Sequence, residues 1–308
     1  MVGRMDDWMA AMFLTYAVDG NGELIHVDNA PRGKSTDLHC PYCNGLLIGR
    51  KGGIKAHHFA HAGETCRAVN REDDAIALPA YERFDLSLWG PDWQALQAYH
   101  STHILPKRRL FERLLKRGLI HYDRAAHKYV LTEKGKIPFG ETSLAAFATI
   151  QDELVAEKHD MLERRLISQC ADYDDRDMYL NDLRLFRAQL RRAHSANLYF
   201  LAIQHSAGTI YKVGVTTRDI NERIMEIQRN LSKYLDEITI TTLHNLSNRG
   251  AVELYFKHRY KAHNASIDTL TEYFTFTKCA SVTDDLSQLG NRTLSEFDQA
   301  LLAVKCNH

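Results

Sequence analysis

The chain has 308 residues, with 39 Lys+Arg against 39 Asp+Glu, 44% apolar and 25% charged. These values exclude wholesale disorder and collagen-like order, and a net charge of zero excludes a global field that draws in nucleic acid or a membrane. No uninterrupted apolar run reaches the roughly 18 residues of a membrane span, and the length suggests about two domains.

From the N-terminus, the apolar stretch 8–18 imitates a signal h-region. Asp6 and Asp7 precede it and no small-residue cleavage site follows, so a cytoplasmic protein with no membrane partner is expected. Segments 13–19 and 24–28 flank Gly20-Asn21-Gly22, which predicts a β-hairpin. Cys40-Pro41-Tyr42-Cys43 follows, then His57-His58-Phe59-Ala60-His61 and Cys66. A tight C-x2-C beside histidines points to metal rather than to a disulfide framework. Structural zinc takes four tetrahedral ligands, and the knuckle supplies two of them, Cys40 and Cys43. The second pair comes from His57, His58, His61 and Cys66. His61 with Cys66 is the first choice and His58 the alternate.

This module, residues 1–71, resembles the N-terminal region of the CoiA-like competence proteins. The likeness rests on the hairpin, Pro31-Arg32-Gly33, CPYC, Lys51-Gly52-Gly53, HHFAH and Cys66. It implies a small zinc-binding module ahead of a nuclease. The restriction-like nuclease core of that family is not recognisable downstream, so competence itself is not carried over.

The second module, 72–140, holds helical spacing over 93–100 and 107–117. Gly118 is a candidate C′ residue, and strands are expected at 119–120 and 129–132. Between Ser101 and Gly140 lie ten Lys/Arg and three Asp/Glu. The succession resembles the end of a winged helix-turn-helix, in which Lys107, Arg108, Arg109, Arg113, Lys116 and Arg117 would contact DNA phosphates or a major groove. A helical spacer is expected over 141–195, interrupted near 172–177. Its segment 151–187 is acidic, with ten acids against six bases.

The last modules, 196–282 and a terminal helical segment 283–308, begin with strands at 198–204 and 210–215. A helix over 219–230, a strand over 238–243, a helix over 251–263, a strand over 273–276 and a helix over 293–305 complete them. The stretch 197–276 resembles the GIY-YIG nuclease superfamily, in the branch whose second motif reads Lys-Ile-Gly. Leu198-Tyr199-Phe200 stands for Gly-Ile-Tyr, Lys212-Val213-Gly214 for Tyr-Ile-Gly, and Arg223 and Glu253 for the family's arginine and metal-binding glutamate. Glu272-Tyr273-Phe274 matches its Glu-Trp-Phe strand. The resemblance implies phosphodiester hydrolysis with one Mg²⁺ on Glu253. Such chemistry needs an activated water and charge neutralisation on the phosphate. A phenol with pKa near 10 is a poor base, so Lys212 beside Tyr199 would have to stabilise the phenolate, and Arg223 would fork onto a phosphate oxygen. Tyr211, Arg218 and His258 are further candidates for phosphate contact.

The expected architecture is α+β and multidomain: a β-rich zinc module, a winged helix, a helical spacer and a GIY-YIG α/β domain. The expected function is metal-dependent cleavage of DNA, a homo-oligomer being left open. The rival reading is a DNA-binding regulator with a degenerate, non-cleaving nuclease domain.

Overall fold

The structure is a computed structural model and describes residues 14–33, 37–52, 56–71, 76–168, 173–267 and 270–303. Residues 8–13, 53–55, 169–172 and 304–308, on which parts of the sequence reading fall, lie outside these. The fold is mixed α+β with small antiparallel sheets.

In chain order, two short hairpins come first: β1 (Tyr16–Val18) with β2 (Leu24–His26), then β3 (Leu47–Arg50) with β4 (His58–His61). Next come α1 (Gly90–Thr102), α2 (Arg108–Lys116), the hairpin β5 (Ile120–Asp123) with β6 (Lys128–Leu131), and the single turn α3 (Glu133–Lys136). Two long helices follow, α4 (Leu144–Ser168) and α5 (Tyr173–Ser195). The remainder is β7 (Asn197–His205), β8 (Gly208–Thr216), α6 (Ile220–Leu231), β9 (Thr239–Leu246) and α7 (Glu253–Arg259). It ends with β10 (Asn264–Ile267), β11 (Leu270–Phe274), α8 (Ala280–Leu289) and α9 (Glu296–Ala303). Among the described residues, no helix is long and apolar enough to cross a membrane.

The chain divides into two compact units: residues 1–77, 157–190 and 303–308 form one, and 78–156 with 191–302 the other. The segment read as a spacer therefore contributes to both.

In the first unit, the turn of the opening hairpin is made by Asp19, whose Oδ1 accepts from Asn21 N and Glu23 N, while Gly22 takes φ +81°. Bridges Leu14↔Phe59 and Val18↔His39 knit the two hairpins together over Leu14, Ala17, Val27, Leu38, Leu47 and Phe59. A second cluster joins Tyr16 and Ile76 to Leu185 and Ala188 of α5.

In the second unit, α1 and α2 pack with the β5–β6 hairpin over Leu96, Tyr99, Leu114, Leu119 and Ile120. Gly118 does end α2, at φ +68°, and its N–H reaches Leu115 O at 2.9 Å. Thr132 caps α3 by accepting from Gly135 N at 3.0 Å. Gly135 has no room for a Cβ, because one would overlap the Leu119 carbonyl. The five-stranded sheet runs β10-β11-β8-β7-β9, with antiparallel neighbours throughout.

Strand alternation sends successive β7 side chains to opposite faces. Leu198 and Phe200 join Val213, Tyr255, Phe256 and Leu286. Tyr199, Leu201 and Ile203 join Ile227 and Leu231 of α6. Two expectations shift. The last strand is Leu270–Phe274 rather than 273–276, and Phe276 instead stacks on Phe274 with centroids 5.9 Å apart. The helix expected over 251–263 is α7 between two 3₁₀ turns.

Candidate functional site

The first unit carries a metal-ligand cluster. Cys40 opens a tight turn in which Asn44 N bonds Cys40 O at 2.9 Å and Cys40 N bonds Gly45 O at 2.8 Å; Asn44 takes φ +57° to close it. Cys43 Sγ sits 3.3 Å from His61 Nε2 at the end of β4, and Cys40 Sγ 3.9 Å from Cys66 Sγ. All four ligand atoms lie within 4.8 Å of one another. A tetrahedral zinc with Zn–S of about 2.3 Å and Zn–N of about 2.0 Å needs ligand atoms roughly 3.5–3.8 Å apart, so this Cys3His set fits the ion. His61, not His58, is the histidine of the set: His58 Nδ1 bonds Ala56 O at 2.8 Å, and His57 Nδ1 faces Asp28 at 2.9 Å.

Burial, reinforced by the neighbouring Cys66 and Cys43 sulfurs, pushes the Cys40 thiol up to about 12 against the pull of two backbone amides. Burial lowers His61. A dication would reverse the penalty on the Cys40 thiolate, and structural zinc then contributes its binding free energy to folding.

In the second unit, α2 presents Lys107, Arg108, Arg109, Lys116 and Arg117 to solvent. Three of the six basic candidates have partners within the chain. Arg108 pairs with Glu112 at 2.8 Å, Arg113 with Asp92 at 2.5 Å, and Arg117 Nη2 donates to Leu86 O at 2.8 Å.

On the sheet, Tyr199 of β7 stands opposite Gly214 of β8 and is 1% exposed. A Cβ at Gly214 would overlap the Tyr199 phenol, which gives the glycine of Lys-Val-Gly a steric reason. Asp219 caps α6, accepting from Asn221 N at 2.8 Å, and this helix carries Arg223 to the tyrosine: Arg223 Nε donates to Tyr199 Oη at 3.3 Å. Arg223 Nη1 also donates to Glu226 at 2.8 Å, and Arg218 closes on the same carboxylate at 2.9 Å. These two arginines hold Glu226 below the usual carboxylate range.

Beside them runs a chain of opposite charges. Lys212 Nζ meets Glu272 at 2.9 Å; Lys257 Nζ lies 3.9 Å from Glu272 and 3.0 Å from Glu253. Burial raises Glu272, but Lys212 and Lys257 outweigh it and leave the group low.

Three sequence assignments need correction. Lys212 does not support the Tyr199 phenolate: its amine bonds Glu272 and lies 4.7 Å over the Tyr273 ring, while Arg223 is the cation at the hydroxyl. Burial dominates there, so the Tyr199 hydroxyl sits above its ordinary value despite Arg223, with Glu253 and Glu272 adding to the rise. Tyr211 lies on the opposite face of the sheet, stacked on Phe200 at 5.6 Å, because residues 211 and 212 of one strand point apart. His258 bonds Pro138 O at 3.0 Å and stacks on Phe84 at 4.8 Å, which gives it a packing role. Sequence reasoning missed Glu226, Lys257 and the ion-pair role of Glu272. Two of these had a legible signal, since Glu226 follows Arg223 by three residues and Lys257 follows Glu253 by four, both helix-face spacings.

Residues 27–69, which include all four Cys3His residues, match the family described as Competence protein CoiA, N-terminal domain. The match covers well under half of the chain. No curated protein and no solved structure matches it.

Proposed function

We propose that the protein is a metal-dependent endonuclease that hydrolyses phosphodiester bonds in DNA, with a GIY-YIG-like site built on the five-stranded sheet. The observation that carries this reading is the contact between Tyr199 and Arg223 over Gly214, with the Glu253–Lys257–Glu272–Lys212 chain alongside. One phenol, one guanidinium and one carboxylate near each other are the groups that phosphodiester hydrolysis needs.

In this reading Arg223 neutralises a non-bridging phosphate oxygen with the N–H groups it now shares with Glu226. Its Nε donates to Tyr199 Oη, so that this oxygen, once its own proton has passed to solvent, can accept a proton from the attacking water. For Tyr199 to accept a proton it must first lose its own, and Arg223 is the group that favours the loss. Glu253 fits Mg²⁺ as a hard, largely buried carboxylate, because that ion takes one or two carboxylates and leaves its other positions to water and phosphate. When bound, Mg²⁺ supplies charge neutralisation on the leaving oxygen. Lys257 balances Glu253 otherwise. The exposed face of α2, read as the recognition helix of a winged helix-turn-helix, holds the nucleic acid.

The second reading, a DNA-binding regulator with a non-cleaving nuclease-like domain, draws on the deep burial and raised hydroxyl of Tyr199. Incubation with supercoiled plasmid, with and without Mg²⁺, separates the two. Nicked or linear product that depends on Mg²⁺ supports the endonuclease. Binding without product supports the regulator. A parallel single-stranded RNA arm tests the substrate class.

A further inference from the structure

Tyr42 stands in the turn between two ligands of the Cys3His cluster, and its two ends meet different partners. Its backbone lies in the turn that Asn44 N closes on Cys40 O at 2.9 Å. Its hydroxyl donates to Asp182 Oδ1 at 2.7 Å. Asp182 belongs to α5 and is wholly buried. Arg71 closes on the same carboxylate with two hydrogen bonds, Nη2 to Oδ1 at 2.6 Å and Nη1 to Oδ2 at 3.0 Å, and its guanidinium lies 5.6 Å from the Tyr42 ring centroid. Arg71 Nε also donates to Ala68 O at 2.9 Å, inside the turn in which Val69 N and Asn70 N both reach Cys66 O at 3.1 Å. One buried carboxylate thus gathers both ligand-bearing loops, the knuckle through Tyr42 and the Cys66 turn through Arg71.

A carboxylate taken wholly out of water persists only where its charge and lone pairs are matched, and a forked arginine with a phenol does this. Nothing in a four-ligand zinc site requires such a residue on a helix more than a hundred positions away. We infer that Asp182 is a positioning residue for the Cys3His centre, through which zinc occupancy and the docking of α5 residues 176–190 become a single coupled equilibrium. The inference rests on the Cys3His set holding zinc.

Coupling of this kind is reciprocal: the factor by which zinc favours docking is the factor by which docking favours zinc. Groups that orient metal ligands from behind typically change affinity by about 10–100-fold when lost. Tyr42→Phe removes the hydroxyl alone and keeps ring and backbone. Asp182→Asn removes the charge and sets an amide against Arg71.

The test uses the full chain purified without chelator. Zinc content of the wild type is read first, then zinc release to a chromogenic chelator, then amide hydrogen exchange across 176–190 before and after zinc removal. The expected results are one zinc per chain, affinity lowered roughly 10-fold or more in Tyr42→Phe, and faster exchange of 176–190 once zinc is removed. Tyr42→Phe keeps the test open if Asp182→Asn does not fold. Zinc content near zero overturns the metal assignment and this inference with it. One zinc per chain with wild-type affinity in Tyr42→Phe, or with unchanged exchange of 176–190 after zinc removal, overturns the coupling alone.

Discussion

Tyr199, Arg223 and Gly214 form the smallest unit of the proposed active site, and each constrains the others. The phenol fills the space that a Cβ at position 214 would need. Gly214→Ala is therefore expected to displace the ring and cut cleavage by at least about 100-fold, as loss of a positioned proton-transfer group does, while the zinc content stays at the wild-type value. The pH dependence separates two cations. Burial raises the Tyr199 hydroxyl and the Arg223 hydrogen bond lowers it. Removing Arg223 takes away the lowering influence, so residual activity in Arg223→Gln should move to higher pH. In Lys212→Met the profile should stay near the wild type, since that amine bonds Glu272. A pH–rate series on the two variants checks this, and an alkaline shift in Lys212→Met alone would return the phenolate role to lysine. The sequence showed which residue types converge but not which cation meets the hydroxyl. That choice depends on where β11 carries Glu272, and no local spacing encodes it.

Among the elements, α2 and the knuckle make the most direct claims. Arg108 and Arg113 already have carboxylate partners, so the phosphate contacts of α2 are expected to come mainly from Lys107, Arg109 and Lys116. Replacing those three with Ala should flatten the slope of log affinity against log salt by about one per lost contact, roughly three in all. An unchanged slope would assign this face to protein contacts. In the Cys3His module, Cys43→Ser should lower zinc content and destabilise the hairpin pair, because metal binding and folding of such a site are one process. Metal analysis with thermal melts measures both. Element by element, the strands β7 and β8, the helix α6 and the Gly118 stop of α2 were legible from period and turn chemistry. β10 and α8 were not. β10 is a four-residue strand with no fully buried position, and the apolar positions of α8 follow a stretch already read as the end of the domain.

For the whole molecule, the mixed α+β class was legible, and the illegible part was how far apart in sequence the segments of one compact unit lie. Residues 141–195 read as a spacer because they lack Gly and Pro, yet Asp182 within them is a buried partner of Arg71 and Tyr42. Periodicity identifies a helix but not what it packs on. Buried tyrosines also set an alkaline limit. Burial first, with nearby carboxylates, pushes Tyr81, Tyr255, Tyr260 and Tyr273 up to about 12. Their neutral forms stabilise the fold fully below the ordinary value near 10, and this contribution is lost as pH rises from 10 through about 12. Melting temperature should accordingly fall across that window together with the rise of tyrosinate absorbance. A melting temperature that stays level across it would contradict this burial. The central claim is that the Tyr199 site cuts DNA, and it is tested most directly by cleavage of supercoiled plasmid at saturating Mg²⁺ by wild type and Tyr199→Phe side by side. The expected result is Mg²⁺-dependent product from the wild type and a rate lower by roughly 100-fold or more in the variant; equal rates, or no product from either, would contradict it.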